Sequence, residues 1–286
     1  MSLTIENNIL MKNGKPFFYL ADTCWSAFTN IKDNDWDYYL DYRKSQGFNT
    51  LQINILPQWD ASATDLCYEP FEVIDGKYNY KKLNLSYFEH ADKMCARAKE
   101  KGFELALVIM WCNFVPDTWA SQFYSKGIMP IDCIDNYINI IHETFTKYEP
   151  LYIISGDTDF NTEQCIEYYV KCAKQIKELA PNCLYTTHIK GRYTYIPDNL
   201  YSYLDLCFYQ SGHNAQNLGM PYLLAEEMAD KYKGKPVINS EPCYEDMGYS
   251  RQMYGRWSKE DIIRAAWMSL LSGASAGITY GAAGIY

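Results

Sequence analysis

The stretch Lys101-Gly-Phe-Glu-Leu-Ala-Leu-Val-Ile-Met-Trp111 carries the pattern that decides the fold class. Gly102 follows a helical pattern of apolar residues over 86–101 and predicts where that helix ends. The run at 104–111 is apolar without alternation after its first residue, which is typical of a strand buried on both faces. A helix that leads directly into such a strand predicts a parallel sheet with helical crossovers.

The same alternation of helical patterns and short apolar runs continues along the chain, without sequence repeats. It predicts strands at 17–21, 49–55, 104–111, 151–155, 184–187, 204–209, 236–239 and 277–280, and helices at 35–46, 86–101, 131–148, 162–179, 222–232 and 259–271. Eight such strands in 286 residues predict an α/β fold, a single (β/α)8 TIM barrel over 1–286, for which ~250 residues is typical. A doubly wound open sheet is the alternative, but no GxGxxG motif follows any predicted strand.

Both ends of the chain depart from a plain barrel. Asn13-Gly14 predicts the turn of an N-terminal hairpin. The sequence stops at Tyr286, six residues after the last predicted strand, so the barrel is expected to lack its last helix. Either the sequence is a piece of a longer chain, or an apolar strip between the outer helices is left for a partner, such as a second copy in a homo-oligomer.

Composition and charge exclude several classes of partner. The 26 Lys and Arg residues face 35 Asp and Glu, and no basic run could follow a phosphate backbone, so no nucleic-acid partner is predicted. No apolar stretch reaches the ~18 residues that span a bilayer, and the N-terminus lacks a secretory signal, so no membrane partner is predicted. None of the ten cysteines forms a CxxC pair, which favours buried thiols over disulfides or metal ligands and predicts a cytoplasmic protein.

Two carboxylates stand out because each directly follows an apolar run, behind a small residue. Asp157 and Glu241 end the fourth and seventh predicted strands, which face one another across a barrel mouth. Glycoside hydrolysis needs such a pair: one carboxyl protonates the leaving oxygen, and the other attacks the anomeric carbon or activates water. The alternative is structural, since either acid could cap the next helix or pair with a surface lysine.

Polar and aromatic side chains follow the other predicted strands, and the carboxyl ends of barrel strands meet at one mouth. The candidate substrate-binding residues are Asp22, Trp25, Asn54, Trp111, His188, His213, Tyr244 and Tyr280. Asp22, Asn54 and His213 are expected to bond sugar hydroxyls, and Trp25, Trp111 or Tyr280 to stack on sugar rings. Tyr244 lies just past Glu241 and is expected to orient that carboxylate. The 27 tyrosines fit such a groove or a tyrosine-rich core equally well, and Trp25, Trp111 and both histidines have structural alternatives of the same kind.

Six motifs extend this interpretation to a family. They are Leu20-Ala-Asp-Thr-Cys-Trp25, Arg43-Lys-Ser-Gln-Gly-Phe-Asn49, Ser155-Gly-Asp157, Tyr209-Gln-Ser-Gly-His213, Lys235-Pro-Val-Ile-Asn-Ser-Glu-Pro242 with Tyr244-Glu245, and Gly277-Ile-Thr-Tyr-Gly281. In this order they resemble the apiosidase-like glycoside hydrolases, glycoside hydrolase family 140 and its relatives. The resemblance implies a (β/α)8 barrel and a retaining mechanism, with Asp157 as acid/base and Glu241 as nucleophile.

The expected activity is therefore a retaining glycoside hydrolase whose partner is a plant- or microbe-derived oligosaccharide, with no metal and no cofactor. A metal-dependent hydrolase would need clustered ligands, and of the four histidines His90 and His142 fall inside predicted helices. A phosphate loop at 281–284 would lack an accompanying Lys or Arg. A carbohydrate-binding barrel that has lost turnover is the alternative from another functional class.

Overall fold

Eight parallel strands form the central sheet of the protein, in a computed structural model that describes residues 3–60, 68–249 and 254–284. The strands are β1 (Tyr19–Thr23), β2 (Thr50–Asn54), β3 (Glu104–Trp111), β4 (Leu151–Gly156), β5 (Leu184–Thr186), β6 (Cys207–Tyr209), β7 (Val237–Asn239) and β8 (Gly277–Tyr280). Their hydrogen-bonded order is β5-β4-β3-β2-β1-β8-β7-β6. The amides of Asp205 and Leu206 donate to the Tyr185 carbonyl at 2.8 and 3.4 Å, which brings β5 to β6. The predicted (β/α)8 TIM barrel is confirmed.

Helices follow the strands and cover the outside of the sheet. They are α1 (Asp33–Ser45), α2 (Leu85–Glu100), α3 (Ile134–Phe145), α4 (Glu163–Leu179), α5 (Asp198–Tyr201), α6 (Met220–Lys231) and α7 (Lys259–Leu271), with a further turn of helix at Ala27–Asn30. Short 3₁₀ turns lie at Cys112–Phe114, Ser121–Phe123, Ile131–Cys133 and Thr146–Tyr148. The helix predicted at 131–148 is therefore α3 with a 3₁₀ turn at each end. Within the described residues, which end at Gly284, no helix follows β8.

Two small antiparallel elements flank the barrel. The N-terminal one pairs Leu3–Glu6 with Ile9–Lys12 and Ile9–Lys12 with Lys15–Pro16, so the hairpin predicted at Asn13-Gly14 is present. The other, Phe71–Ile74 with Lys77–Leu83, lies between β2 and α2 and was not predicted. Its turn, Asp75-Gly76, is a typical hairpin signal that could have revealed it.

The first barrel strand lies two residues later than predicted. The prediction ended it at Ala21, whereas β1 continues to Thr23. Asp22 is consequently inside the sheet and fully buried rather than at the mouth. The extension of β1 by two residues thus removes Asp22, a predicted site residue, from the barrel mouth.

A fully buried carboxamide links the strands inside the barrel. The Oε1 atom of Gln52 accepts hydrogen bonds from the Tyr19 hydroxyl at 2.8 Å and from Thr279 Oγ1 at 3.1 Å. Its Nε2 atom donates to the Ser240 carbonyl at 3.0 Å. Because buried polar groups are costly when unpaired, this network favours one mutual arrangement of β1, β2, β8 and the exit of β7.

Three features of the described residues concern helix length, metal ligands and thiols. None of their helices combines the length and apolar character that a membrane crossing requires. No cluster of three or more His, Cys, Asp or Glu side chains in this part of the chain could hold a metal ion. The nine described cysteines are buried free thiols.

Close packing of β1 on β8 generates a stability prediction. A Cβ atom at Gly277 would lie 2.2 Å from the Tyr19 carbonyl oxygen, whereas one at Gly248 would meet nothing within 4 Å. Gly277→Ala is therefore expected to lower the free energy of unfolding by about 1–3 kcal/mol through overpacking. Gly248→Ala is the matched control and should change it by less than about 0.5 kcal/mol. Urea denaturation measures both, and equal stability of the two variants would contradict the packing argument.

Candidate active site

A pocket of about 280 Å³ opens where the carboxyl ends of the strands meet. It is lined by Trp25, Gln58, Trp59, Asp60, Trp111, Trp119, Asp157, Gln210, His213, Glu241, Tyr244 and Met247. A wider groove of about 650 Å³ adjoins it, and Trp119, Asp157, Gln210 and His213 line both. The two carboxylates predicted from strands four and seven thus share one cavity, and Asp157 lies where the cavity meets the groove.

Glu241 follows β7, and hydrogen-bond donors from two other strand ends hold its carboxylate. His188 Nε2 lies 2.9 Å from its Oε2, and His213 Nε2 lies 2.7 Å from its Oε1. The Tyr244 hydroxyl also bonds this carboxylate and in turn accepts from Trp25 Nε1 at 2.8 Å. Burial disfavours the charged form, but the hydrogen bonds and charges of the two histidines outweigh it and lower the pKa of Glu241 below its usual range. Glu241 is therefore ionised at neutral pH.

The surroundings of His188 explain how it is oriented. The side chain is fully buried, and its Nδ1 lies 2.8 Å from Ser240 Oγ. Its ring packs against Trp25 and Trp111, with ring centroids 5.4 and 5.7 Å away. Because an ionised carboxylate only accepts, the Nε2 that faces Glu241 carries a proton. His188 therefore donates a hydrogen bond to the Glu241 carboxylate. It is not among the residues that line the pocket.

Asp157 sits on a strained turn directly after β4. Its φ angle of 50° places a residue other than glycine in the left-handed region, which costs about 1 kcal/mol or more. The preceding Gly156 packs against Trp111 so closely that a Cβ would lie 2.0 Å from the ring. Glycine is thus the residue that lets this turn pass over the indole.

The electrostatic environment of Asp157 is opposite to that of Glu241. Burial raises the pKa of Asp157 well above its usual range, and the charges of Glu241 and Asp60 raise it further. Lys190, ion-paired with Asp159 at 3.2 Å, lowers the pKa only partly. The pKa values of the two carboxyls in the pocket are therefore shifted in opposite directions.

Neither a helix cap nor an ion pair with a surface lysine accounts for the two carboxylates. The N-cap of α4 is Thr162, whose hydroxyl accepts from the Cys165 amide at 3.2 Å, and not Asp157. Glu241 contacts two histidines rather than a surface lysine. Both side chains belong to the pocket.

Aromatic rings supply much of the pocket wall. Trp25 packs on Trp111 with ring centroids 5.3 Å apart, and Trp59 meets Trp119 edge-on at 5.4 Å. Tyr244 adds a further ring beside His213, with centroids 4.4 Å apart. Such faces stack on the apolar side of sugar rings.

Six of the ten predicted site residues line the pocket, and four lie elsewhere. The six are Asp157, Glu241, Trp25, Trp111, His213 and Tyr244. Of the others, His188 supports Glu241, and Asn54 is buried beneath the pocket, where it donates to Gln58 Oε1 at 2.8 Å.

Asp22 and Tyr280 depart from the expectation that they contact sugar. The carboxylate of Asp22 is buried against Arg43 and the Tyr39 hydroxyl, each 2.5 Å away, because β1 extends past it. The hydroxyl of Tyr280 donates to Glu245 at 2.7 Å, and the Arg43 guanidinium lies over its ring. An ion pair and a hydrogen bond inside the barrel wall occupy these two side chains.

The pocket also contains residues that the sequence analysis left out. Gln58, Trp59, Asp60 and Gln210 follow β2 and β6 closely, so their position at strand exits was a usable signal. Trp119 and Met247 lie farther along their loops, where no periodic pattern indicates which way a side chain points. Loop conformation alone brings these two into the wall.

Comparisons with solved structures find the same architecture in longer chains. A glycoside hydrolase family 5 protein from Bacteroides vulgatus is 25% identical with a TM-score of 0.81, over 98% of this chain and 62% of that one. A second glycoside hydrolase is also 25% identical with a TM-score of 0.81, over 99% of this chain and 66% of its own. The chain thus spans about two thirds or less of these relatives. The endo-1,4-β-D-mannanase from Thermotoga petrophila, at 16% identity, 93% and 88% coverage and a TM-score of 0.60, shares the fold.

The sequence comparisons point in the same direction. No curated protein matches the chain. The family model of the apiosidase-like catalytic domain matches residues 5–286, which confirms the resemblance drawn from the six motifs. The chain therefore belongs to the apiosidase-like catalytic-domain family.

Proposed function

We propose that this barrel is a retaining glycoside hydrolase, with Asp157 as the general acid/base and Glu241 as the nucleophile. The observation that carries the proposal is the pair of carboxyls in one pocket whose pKa values are shifted in opposite directions. Groups whose environments push their pKa values apart are the usual acid and base of an active site. The glycoside hydrolases among the structural relatives support the reaction class.

The reaction follows from the two protonation states. The ionised oxygen of Glu241 attacks the anomeric carbon while Asp157 gives its proton to the glycosidic oxygen, and the bond to the leaving group breaks. Asp157 is then a carboxylate and takes a proton from water, which attacks the glycosyl-enzyme ester and releases the sugar and Glu241. The hydrogen bonds from His188 and His213 keep Glu241 ionised before attack.

Two buried polar groups in the pocket wall are suited to bind the sugar. Trp111 Nε1 and Gln210 Oε1 are inaccessible and bond to no other described residue, although both side chains line the pocket. An unpaired buried donor or acceptor costs about 1–3 kcal/mol. A small rotation that turns either atom into the pocket would let a sugar hydroxyl satisfy it. We propose that they recognise hydroxyls of a plant- or microbe-derived oligosaccharide, with apiose, from the family's name, as the first sugar to test.

We also propose a cytoplasmic location, which the buried free thiols support because disulfides are rare in reducing compartments.

Self-association of the protein stays a prediction. Trp267 and Leu271 on α7 are 58% and 79% exposed and are the apolar side chains it would use.

Replacing either carboxyl should abolish turnover. Hydrolysis of 4-nitrophenyl glycosides of apiose, mannose, glucose, galactose, xylose and arabinose identifies the sugar. With the 4-nitrophenyl glycoside of that sugar, Glu241→Ala should lose roughly 10⁴-fold in kcat and Asp157→Ala roughly 10²- to 10⁴-fold. Azide should restore product formation in Glu241→Ala.

Glu245→Gln is the matched control, because Glu245 bonds Tyr280 and does not line the pocket. It should keep wild-type activity. A wild type that binds sugars without cleaving any would favour the non-catalytic barrel, and full activity of Glu241→Ala would remove Glu241 from the mechanism.

The acid limb of the pH profile should respond to His213. The hydrogen bond from His213 lowers the pKa of Glu241, so His213→Phe should raise it. Because the nucleophile must be ionised, the acid limb of kcat/KM should move to higher pH. His142→Phe is the control and should leave the limb in place, because His142 lies on the outer helix α3 and its imidazole bonds Thr146. A shift to lower pH would contradict the assignment.

The alkaline limb should respond to Asp60. The charge of Asp60 raises the pKa of Asp157, so Asp60→Asn should lower that pKa. Because Asp157 must be protonated to act as the acid, activity should be lost at lower pH than in the wild type. The kcat/KM profile measures this, with Asp75→Asn in the hairpin turn as the control. An unmoved alkaline limb in Asp60→Asn would show that another group titrates there.

A further inference from the structure

The turn that carries Asp157 needs support from outside itself. The left-handed φ angle costs a residue other than glycine about 1 kcal/mol or more, and contacts on both sides of Asp157 stabilise it there. Gly156 accommodates the Trp111 ring on one side, and the Lys190 amide donates to the Thr158 carbonyl at 2.8 Å on the other. These contacts fix the residues before and after Asp157, and neither reaches its own carbonyl.

That carbonyl is held by the indole of Trp119. Trp119 Nε1 donates to the Asp157 main-chain oxygen at 2.7 Å, across 38 residues of sequence. The bond fixes the peptide plane that follows Asp157, and with it the direction in which the side chain leaves the backbone. Trp119 itself follows a turn held by Thr118, whose hydroxyl donates to the Val115 carbonyl at 3.0 Å.

The position of Trp119 makes it more than a wall residue. It lines both the pocket and the adjoining groove, as Asp157 does, so the two meet where a scissile bond would cross from one to the other. Its ring is fixed by Trp59 edge-on at 5.4 Å and by Lys190 Nζ at 5.9 Å. A rigid donor at this place suits the orientation of a proton-donating group.

We propose that Trp119 is a positioning residue for the proton transfer: its indole N–H, through the Asp157 carbonyl, aims the Asp157 carboxyl at the glycosidic oxygen. The inference rests on the proposed role of Asp157 as the acid/base. Trp119 lies on a loop that is 38 residues from Asp157 in sequence. Its proposed role concerns one chemical step, the protonation of the leaving group.

This role has a signature that a merely structural role lacks. A 2,4-dinitrophenyl leaving group departs without protonation, whereas phenol needs the acid. Loss of the Trp119 N–H should therefore slow glycosyl-enzyme formation for the phenyl glycoside and spare it for the dinitrophenyl glycoside. A change in pocket shape would slow both substrates alike.

The experiment compares kcat/KM of these two aryl glycosides, made from the sugar that the 4-nitrophenyl series identifies. Trp119→Phe keeps an aromatic wall and removes the donor. It should lose roughly 10- to 100-fold with the phenyl glycoside and less than about 3-fold with the dinitrophenyl glycoside. Trp119→His, which retains a ring N–H, should recover part of the loss. Thermal denaturation of each variant checks that it is folded.

Met247→Leu is the matched control, because Met247 lines the same pocket and packs against the cluster of Cys243, Trp257, Ile262 and Ala265 rather than against Trp119. It should change both substrates by the same factor. Equal losses in Trp119→Phe would overturn the proposal, as would a Trp119→His variant that behaves like Trp119→Phe while both are folded. Asp157→Ala serves as the reference. If it lacks the leaving-group selectivity, the proposed function itself fails, whereas selectivity in Asp157→Ala alone rejects only the role of Trp119.

Discussion

The buried carboxamide of Gln52 is the interaction that the rest of the structure depends on. It accepts from Tyr19 and Thr279 and donates to the Ser240 carbonyl, so one side chain joins the first, second and last strands to the exit of β7. Because Gln52 is fully buried, losing any of these hydrogen bonds would leave a buried polar group unpaired, and the network therefore favours a single register. Ser240 also lies against His188, which bonds Glu241. The closure of the sheet and the placement of the Glu241 carboxylate are therefore parts of one network.

The site is built from a contrast between two similar side chains. Glu241 lies among donors that stabilise its charge, and Asp157 lies among carboxylates that oppose ionisation. Burial is the largest cause of the raised pKa of Asp157, and the charge of Glu241, which His188 and His213 stabilise, raises that pKa further. Two groups of one chemical type thereby have pKa values that are shifted in opposite directions.

Much of the site was accessible from the sequence, because polar residues that end apolar strands are conspicuous. Asp157 and Glu241 were found in this way, and so was His213. Asp22 fits the same pattern but is buried inside the sheet, because β1 continues for two residues more than its apolar run indicates. A shift of that size decides between a pocket wall and a buried ion pair, and hydrophobic patterns do not define strand ends so closely.

The sequence by itself determined the barrel, its strand number and the two carboxylates, because these depend on the period and length of apolar segments along the chain. Only the tertiary structure decided which residues complete the pocket and in which direction the pKa of each carboxyl is shifted. Trp119 reaches Asp157 across 38 residues, and the donors to Glu241 come from two other strand exits. Such contacts are made by loop paths and by strands that are distant in sequence, and burial and neighbouring charge set a pKa only after the chain has closed into the barrel.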